Sequence, residues 1–239
     1  MSATKIYAGT SGWAYASWKP DFYPAKLSSK KFLEYYSSRL NSVEVNYTFR
    51  TIPTEKLLEG WIAATPPDFK FAIKAHQQIT HFKRLRDAGG ITADFLDSLK
   101  PLSKAKKLGP VLFQLRGDFK CDVPRLKDFV KGLPRGTQVA FEFRNVAWFC
   151  DEVYDVLRKA NVALCQAESD DIETPDVLTA DFSYFRLRKK HYSAKAREVI
   201  AKKVVAQAQK GEVFAYFKHE DAPDGALYAE DLLKPGAAG

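Results

Sequence analysis

Short apolar runs alternate with longer stretches of helical periodicity along the whole chain of 239 residues. Runs at 5–11, 42–47, 70–75, 110–115, 138–144, 162–167, 182–187 and 212–217 are rich in β-branched and aromatic residues and bounded by Gly, Pro, Asp or Lys, the pattern of strands. The amphipathic segments between them predict helices over 28–40, 54–64, 91–104, 124–132, 151–161, 194–210 and 225–233. Local chemistry agrees with these bounds: Thr54 can cap the turn that begins at Glu55, Asp151 and Glu152 put negative charge at a helix start, and Gly211 follows the longest helix.

Strand followed by helix, repeated about eight times, predicts a parallel sheet, and the length suits one closed TIM-type (β/α)8 barrel over residues 1–234, with 235–239 as a C-terminal tail. Between Ala167 and Phe182 the chain is too polar and too short for a full helix, so the helix between strands six and seven is expected to be short or missing. A doubly wound open sheet is the alternative, but no Gly-rich dinucleotide fingerprint follows the first strand.

A parallel barrel strand is covered on both faces and should be almost wholly apolar. Two strands break that rule with period two: Val43-Glu44-Val45-Asn46 and Phe141-Glu142-Phe143-Arg144. Valine and phenylalanine belong against the helices, so Glu44, Asn46, Glu142 and Arg144 are expected to point inward. Lys74, Gln114, Gln166, Arg186 and Lys218 add polar positions toward the C-terminal ends of other strands, the end at which barrel active sites are built. Two readings compete. The charges form an ion-pair plug, or they line a site; polar intrusions on many strands, all toward one end, favour a site. Loops at the same end carry Trp13, Tyr15, Trp18, Phe22, Tyr23, Trp148 and Phe149, which either wall a ligand pocket or, for Trp18 and Phe22 above all, pack as a lid on the rim.

Charge sharpens the picture. A net charge of +8 favours an anionic partner, although many of the lysines fall on helix faces where a solvated surface explains them. A small anionic or phosphorylated ligand is the expected partner, nucleic acid is the alternative, and no apolar run is long enough to suggest a membrane. The N-terminus carries no charged-then-apolar signal pattern, and Cys121, Cys150 and Cys165 are widely spaced, so a cytoplasmic protein with free thiols is expected.

Motifs for zinc, for a phosphate-binding loop and for a serine nucleophile elbow are all missing, and no cofactor is predicted. A divalent metal held by Glu44, Glu142, His81 or His219 stays open as a lesser alternative. Acid–base chemistry of the hydrolase, lyase or isomerase type remains. Glu44 and Glu142 would transfer protons if their surroundings push their pKa values apart, with Lys74 as a third catalytic candidate. Trp13, Asn46, His81, Gln114, Arg144, Trp148, Arg186 and Lys218 would hold the substrate. A binding protein without catalysis is the rival reading.

Taken together, several stretches resemble the YecE-like proteins, the domain-of-unknown-function family number seventy-two. They are Thr10-Ser11-Gly12-Trp13 with Phe22-Tyr23-Pro24, Val43-Glu44-Val45-Asn46-Tyr47-Thr48-Phe49, Phe69-Lys70-Phe71 with Lys74, Ile79-Thr80-His81, Leu108-Gly109-Pro110 through Gln114-Leu115, Phe141-Glu142-Phe143-Arg144 with Trp148-Phe149, and Tyr184-Phe185-Arg186-Leu187. The resemblance implies a TIM-type barrel with a polar pocket at the C-terminal strand ends, and it supplies no reaction. Arg188-Lys189 and Lys218-His219 stand where the family usually has His-Gly and Asn-Asn, which implies a more basic rim and a more anionic ligand.

Overall fold

The computed structural model describes residues 6–168, 172–218 and 222–234. His219, the acidic pair Asp170 and Asp171, and the tail 235–239 lie outside the described residues. The strands are β1 (Ile6–Thr10), β2 (Ser42–Val45), β3 (Lys70–Lys74), β4 (Leu108–Gln114), β5 (Val139–Glu142), β6 (Ala163–Leu164), β7 (Gln166–Glu168), β8 (Phe182–Leu187) and β9 (Glu212–Phe217). They alternate with α1 (Phe32–Arg39), α2 (Glu55–Ala63), α3 (Gly89–Ser98), α4 (Lys100–Lys104), α5 (Val123–Lys131), α6 (Asp151–Lys159), α7 (Ala194–Ala208) and α8 (Asp224–Leu233). Thr54 Oγ1 accepts from the Leu57 amide and Asp122 Oδ1 from that of Arg125, so both helices start where a side chain satisfies an orphan donor. The single helix expected over 91–104 breaks at Leu99, and a second short one starts with Pro101 in its first turn, a place that tolerates the missing N–H. No helix is found among the described residues between β7 and β8, as the polar stretch there suggested.

All strand pairs are parallel, in two sheets ordered β2-β3-β4-β5-β6 and β1-β9-β8-β7. The expected single ladder is interrupted at two seams. The run 162–167 is not one strand: it divides at Cys165, where β6 pairs with β5 and β7 pairs with β8. Thr179 Oγ1 accepts from the Leu164 amide and donates to the Val162 carbonyl, replacing the ladder bonds that β6 lacks on that side. At the other seam β1 and β2 approach without pairing. The Asn41 side chain accepts from the Ala8 amide at 2.9 Å and donates to the Ile6 carbonyl at 2.8 Å. The Tyr36 hydroxyl accepts from the Thr10 amide at 2.8 Å and donates to the Ser42 carbonyl at 3.0 Å. Side chains thus satisfy the backbone groups that a ladder would otherwise pair. Gly9 lies so close to Ser42 that a Cβ there would overlap its carbonyl oxygen.

Period-two alternation sorts the strand residues into two cores. Val43, Phe71, Ile73, Val111, Phe113, Val139, Phe141, Phe185 and Val213 pack against the helices. Tyr7, Ala72, Leu112, Ala140, Ala163, Cys165, Phe182, Tyr184, Phe214 and Tyr216 form a second cluster drawn from both sheets. Small side chains on β3 and β5 share this cluster with large rings on β8 and β9, the mix of sizes that close packing requires. Each large ring buried this way contributes about 1.5–3 kcal/mol. Among the described residues no helix is long and apolar enough to cross a membrane.

Candidate functional site

The inward positions turn polar at the C-terminal end of the strands, directly beyond the inner aromatic layer. Tyr184 and Tyr216 sit with ring centroids 5.3 Å apart, and the Tyr216 hydroxyl shares a hydrogen bond of 2.6 Å with Ser42 Oγ. Above them lies Arg186, fully buried on β8. Its Nε donates to Glu44 Oε2 at 2.9 Å and its Nη2 to Glu44 Oε1 at 2.8 Å, a bidentate pair, while Nη1 bonds Glu142 Oε2. The guanidinium of one sheet therefore holds carboxylates from two strands of the other.

Each carboxylate accepts three hydrogen bonds in all, two on Oε2 and one on Oε1. The Tyr184 hydroxyl donates to Glu44 Oε2 at 2.8 Å. Glu142 accepts from Gln114 Nε2 on Oε2 at 2.8 Å and from Arg144 Nε on Oε1 at 3.0 Å. Gln114 in turn accepts at Oε1 from Lys74 Nζ at 2.8 Å, so its amide is oriented by a donor and an acceptor at once.

Electrostatics follows from this wiring and corrects one expectation. Burial pushes both carboxyls up, but the Arg186 guanidinium and the hydrogen bonds outweigh it and hold Glu44 and Glu142 at about 2. The same carboxylates keep Arg186 charged despite its burial. The two glutamates are not driven apart into a donor and an acceptor; one cation ionises both. Lys74 behaves differently. Burial and the neighbouring Arg186 pull its ammonium down to about 8, and the pull of Glu142 and Glu44 does not compensate. Among the described residues Lys74 makes one hydrogen bond, to a neutral amide, and lies over the Phe49 ring at 4.1 Å from its centroid. No carboxylate of the described residues comes within ion-pair distance of it.

His81 reaches the same ring, edge-on to Phe49 at 4.7 Å. It stands on a π-helical turn, Gln78–Phe82, followed by left-handed backbone at Arg84, Leu85 and Asp87. Such conformations are costly for side-chain-bearing residues and cluster at sites where a loop must be held in one shape. Burial pushes the imidazole down to about 4, with Lys74 and Arg116 adding to the effect, so it is neutral at pH 7. Its Nδ1 pairs with Thr80 Oγ1 at 2.9 Å, and its other ring nitrogen makes no hydrogen bond among the described residues. Asn46 follows β2, and the register Val45↔Ile73 brings it abreast of Lys74. Its Nδ2 reaches the Ser11 carbonyl at 3.5 Å, and its Oδ1 is buried without a partner among the described residues, an acceptor that invites a ligand donor.

The other expected residues fall less centrally. Arg144 is half exposed and pairs with Glu142. Lys218 stands half-buried at the end of β9, and Arg188 Nη1 donates to Ser11 Oγ at 2.8 Å. Trp13 is partly buried, edge-on against Trp61 at 5.5 Å. Trp148 is fully buried: its ring stacks on Phe143 at 4.8 Å and its Nε1 donates to the Phe119 carbonyl, so it packs in the core beneath the rim. Trp18 and Phe22 are likewise core residues. Tyr184 and Phe49 escaped sequence reasoning. Tyr184 was readable from its alternation with Arg186, whereas Phe49 sits on a turn with no periodicity to mark it. Gln166 bonds Gln207 of α7 instead of entering the cluster. Among the described residues no group of three or more His, Cys, Asp and Glu comes together for a metal, because Arg186 occupies the space between Glu44 and Glu142.

Parallel strands separated by helices, with a buried charge cluster at their C-terminal ends, define an α/β protein built on parallel sheets. The chain belongs to the family described as Protein of unknown function DUF72, whose model matches residues 7–238. It is 34% identical over 161 residues to the UPF0759 protein YunF of Bacillus subtilis, a match spanning 63% of this chain and 54% of that one, so the shared region is about half the length of that relative. A DUF72 family protein of Thermotoga maritima superposes with a TM-score of 0.85 at 25% identity, covering 96% of this chain and 98% of that one. An AP endonuclease, family 2, of Brucella melitensis shares the fold alone, with a TM-score of 0.55 at 9% identity over 93% of this chain and 96% of that one.

Proposed function

We propose that this chain is an enzyme that binds a small phosphate- or carboxylate-bearing compound over the C-terminal strand ends and uses Lys74 to move a proton beside it. In this reading the two sheets are halves of one (β/α)8 barrel wall. The run 163–168, which contributes to both sheets, and the inner cluster drawn from both support that closure. Glu44 and Glu142 act as fixed anions that hold Arg186; they do not exchange protons.

The observation that carries the proposal is the imbalance around Lys74. Arg186 and Arg144 answer the two carboxylates, which leaves the Lys74 ammonium with an amide and a ring face among the described residues. An incoming anion supplies the missing counter-charge and accepts the unused N–H groups. With a pKa near 8 the same ammonium holds its proton less tightly than an ordinary lysine, which suits a general acid that gives a proton to the bound compound. Asn46 Oδ1 and the free nitrogen of neutral His81 orient the bound compound.

Calorimetric titration with inorganic phosphate tests this. The wild-type chain should bind saturably at low salt, and Lys74→Met should weaken binding about tenfold or more, the worth of a charge-assisted hydrogen bond. A wild-type chain that ignores phosphate, or a variant that binds it equally well, contradicts the proposal.

A further inference from the structure

Five large hydrophobic side chains are exposed among the described residues: Tyr47 at 51%, Ile52 at 41%, Phe82 at 65%, Val146 at 70% and Val199 at 59%. Four of them share one region. Tyr47 and Ile52 follow β2, Phe82 follows β3 and Val146 follows β5, whereas Val199 lies apart on α7. Because β2, β3, β4 and β5 are consecutive neighbours in one sheet, the loops after them form a continuous arc along the candidate site. The edge-on contact of Phe49 with His81 joins the first two loops, bringing the Tyr47 and Phe82 segments side by side.

The same arc is basic. Segments 46–54, 75–88, 115–122 and 143–150 carry seven Lys and Arg against three Asp. Asp118 is shared by Arg84 and Arg116, which leaves cations such as Arg50, Lys83 and Lys120 without an ion pair among the described residues. A solvated basic face needs no exposed rings, and an apolar protein-docking patch needs no excess of cations. Flat rings interleaved with surplus cations match a polyanion that presents unpaired π-faces.

We infer that this arc binds single-stranded nucleic acid, with Tyr47 and Phe82 stacking on unpaired bases and Arg50, Lys83 and Arg144 following the backbone. The inference rests on the anion site proposed above and names its ligand class: the phosphate drawn toward Lys74 belongs to a nucleotide of that strand. A duplex keeps its bases stacked on one another and offers the rings nothing, so it binds less well.

Fluorescence anisotropy with a labelled single strand of roughly 12 nucleotides, a length in the usual range for such sites, provides the test. The wild-type chain is expected to bind the single strand more tightly than the matching duplex, with affinity falling steeply as salt rises. Phe82→Ala and Tyr47→Ala should each weaken binding about tenfold. Both rings are more than half exposed, so the fold survives their loss; Val199→Ala, remote from the arc, should change nothing. No binding of the strand by a chain that still binds inorganic phosphate overturns the inference and leaves the anion site standing, whereas failure to bind either overturns both. Equal affinity for duplex and single strand, or indifference to both ring substitutions, also overturns it.

Discussion

Arg186 Nη2 stands 2.8 Å from Glu44 Oε1, although 142 positions separate the two residues and they lie on different sheets. This pair, with Glu142 as the third member, ties the two sheets together at the end where the polar side chains converge. Desolvating three charges is costly, and the cluster is tolerable because six hydrogen bonds, three of them from Arg186 itself, reach its two carboxylates.

Removing the cation exposes that cost. Arg186→Met should destabilise the fold by about 3–5 kcal/mol at pH 7, because two buried carboxylates lose their shared partner. Urea unfolding checks this. The loss should shrink on acidification, since the unpaired carboxyls then bind protons.

Acid stability of the unaltered chain follows with a definite sign. Glu44 and Glu142 ionise near 2 in the fold against an ordinary value of 4.5, so they take up protons more readily when unfolded. Their contribution is complete above pH 4.5 and is lost as the pH falls toward 2. Urea midpoints between pH 6 and pH 2 (set by those values) should decline across this window, and the decline should be shallower in a Glu44→Gln, Glu142→Gln double variant.

Tyr184→Phe removes one hydrogen bond to a buried carboxylate and little else. The expected loss is about 1.5–3 kcal/mol, read from urea unfolding. A neutral result would mean that the hydroxyl is dispensable to Glu44.

The seam between β1 and β2 is tested by Gly9→Ala. The added methyl meets the Ser42 carbonyl and must push the strands apart, at a cost of about 1–3 kcal/mol or more. Circular dichroism melting should show a clear drop. An unchanged melting temperature would mean that the seam is loosely packed.

Much of this arrangement was legible in the chain. Period two in Val43-Glu44-Val45 and Phe141-Glu142-Phe143-Arg144 put the glutamates and Arg144 inward, and Gln114 and Arg186 stood out as polar residues toward the C-terminal strand ends. Four features were not legible. Whether neighbouring charges split or level the pKa values of two glutamates depends on where one guanidinium sits, a matter of ångströms that spacing does not encode. The division of the sixth strand at Cys165 and the unpaired seam at β1 arise because Thr179, Asn41 and Tyr36 offer hydrogen bonds from remote positions. Trp148, an aromatic residue on a rim loop, reads as a pocket wall in sequence, but the Phe119 carbonyl and the Phe143 ring draw it into the core.

Lys74 carries the central claim, and its protonation can be read directly. Nuclear magnetic resonance titration of a chain with isotope-labelled lysine side chains, assigned through Lys74→Met, should give Lys74 a midpoint near 8, rising when inorganic phosphate is added because the anion favours the ammonium. A midpoint at the ordinary lysine value of 10.5, unmoved by phosphate, would contradict the assignment of Lys74 as the uncompensated cation of an anion-binding site.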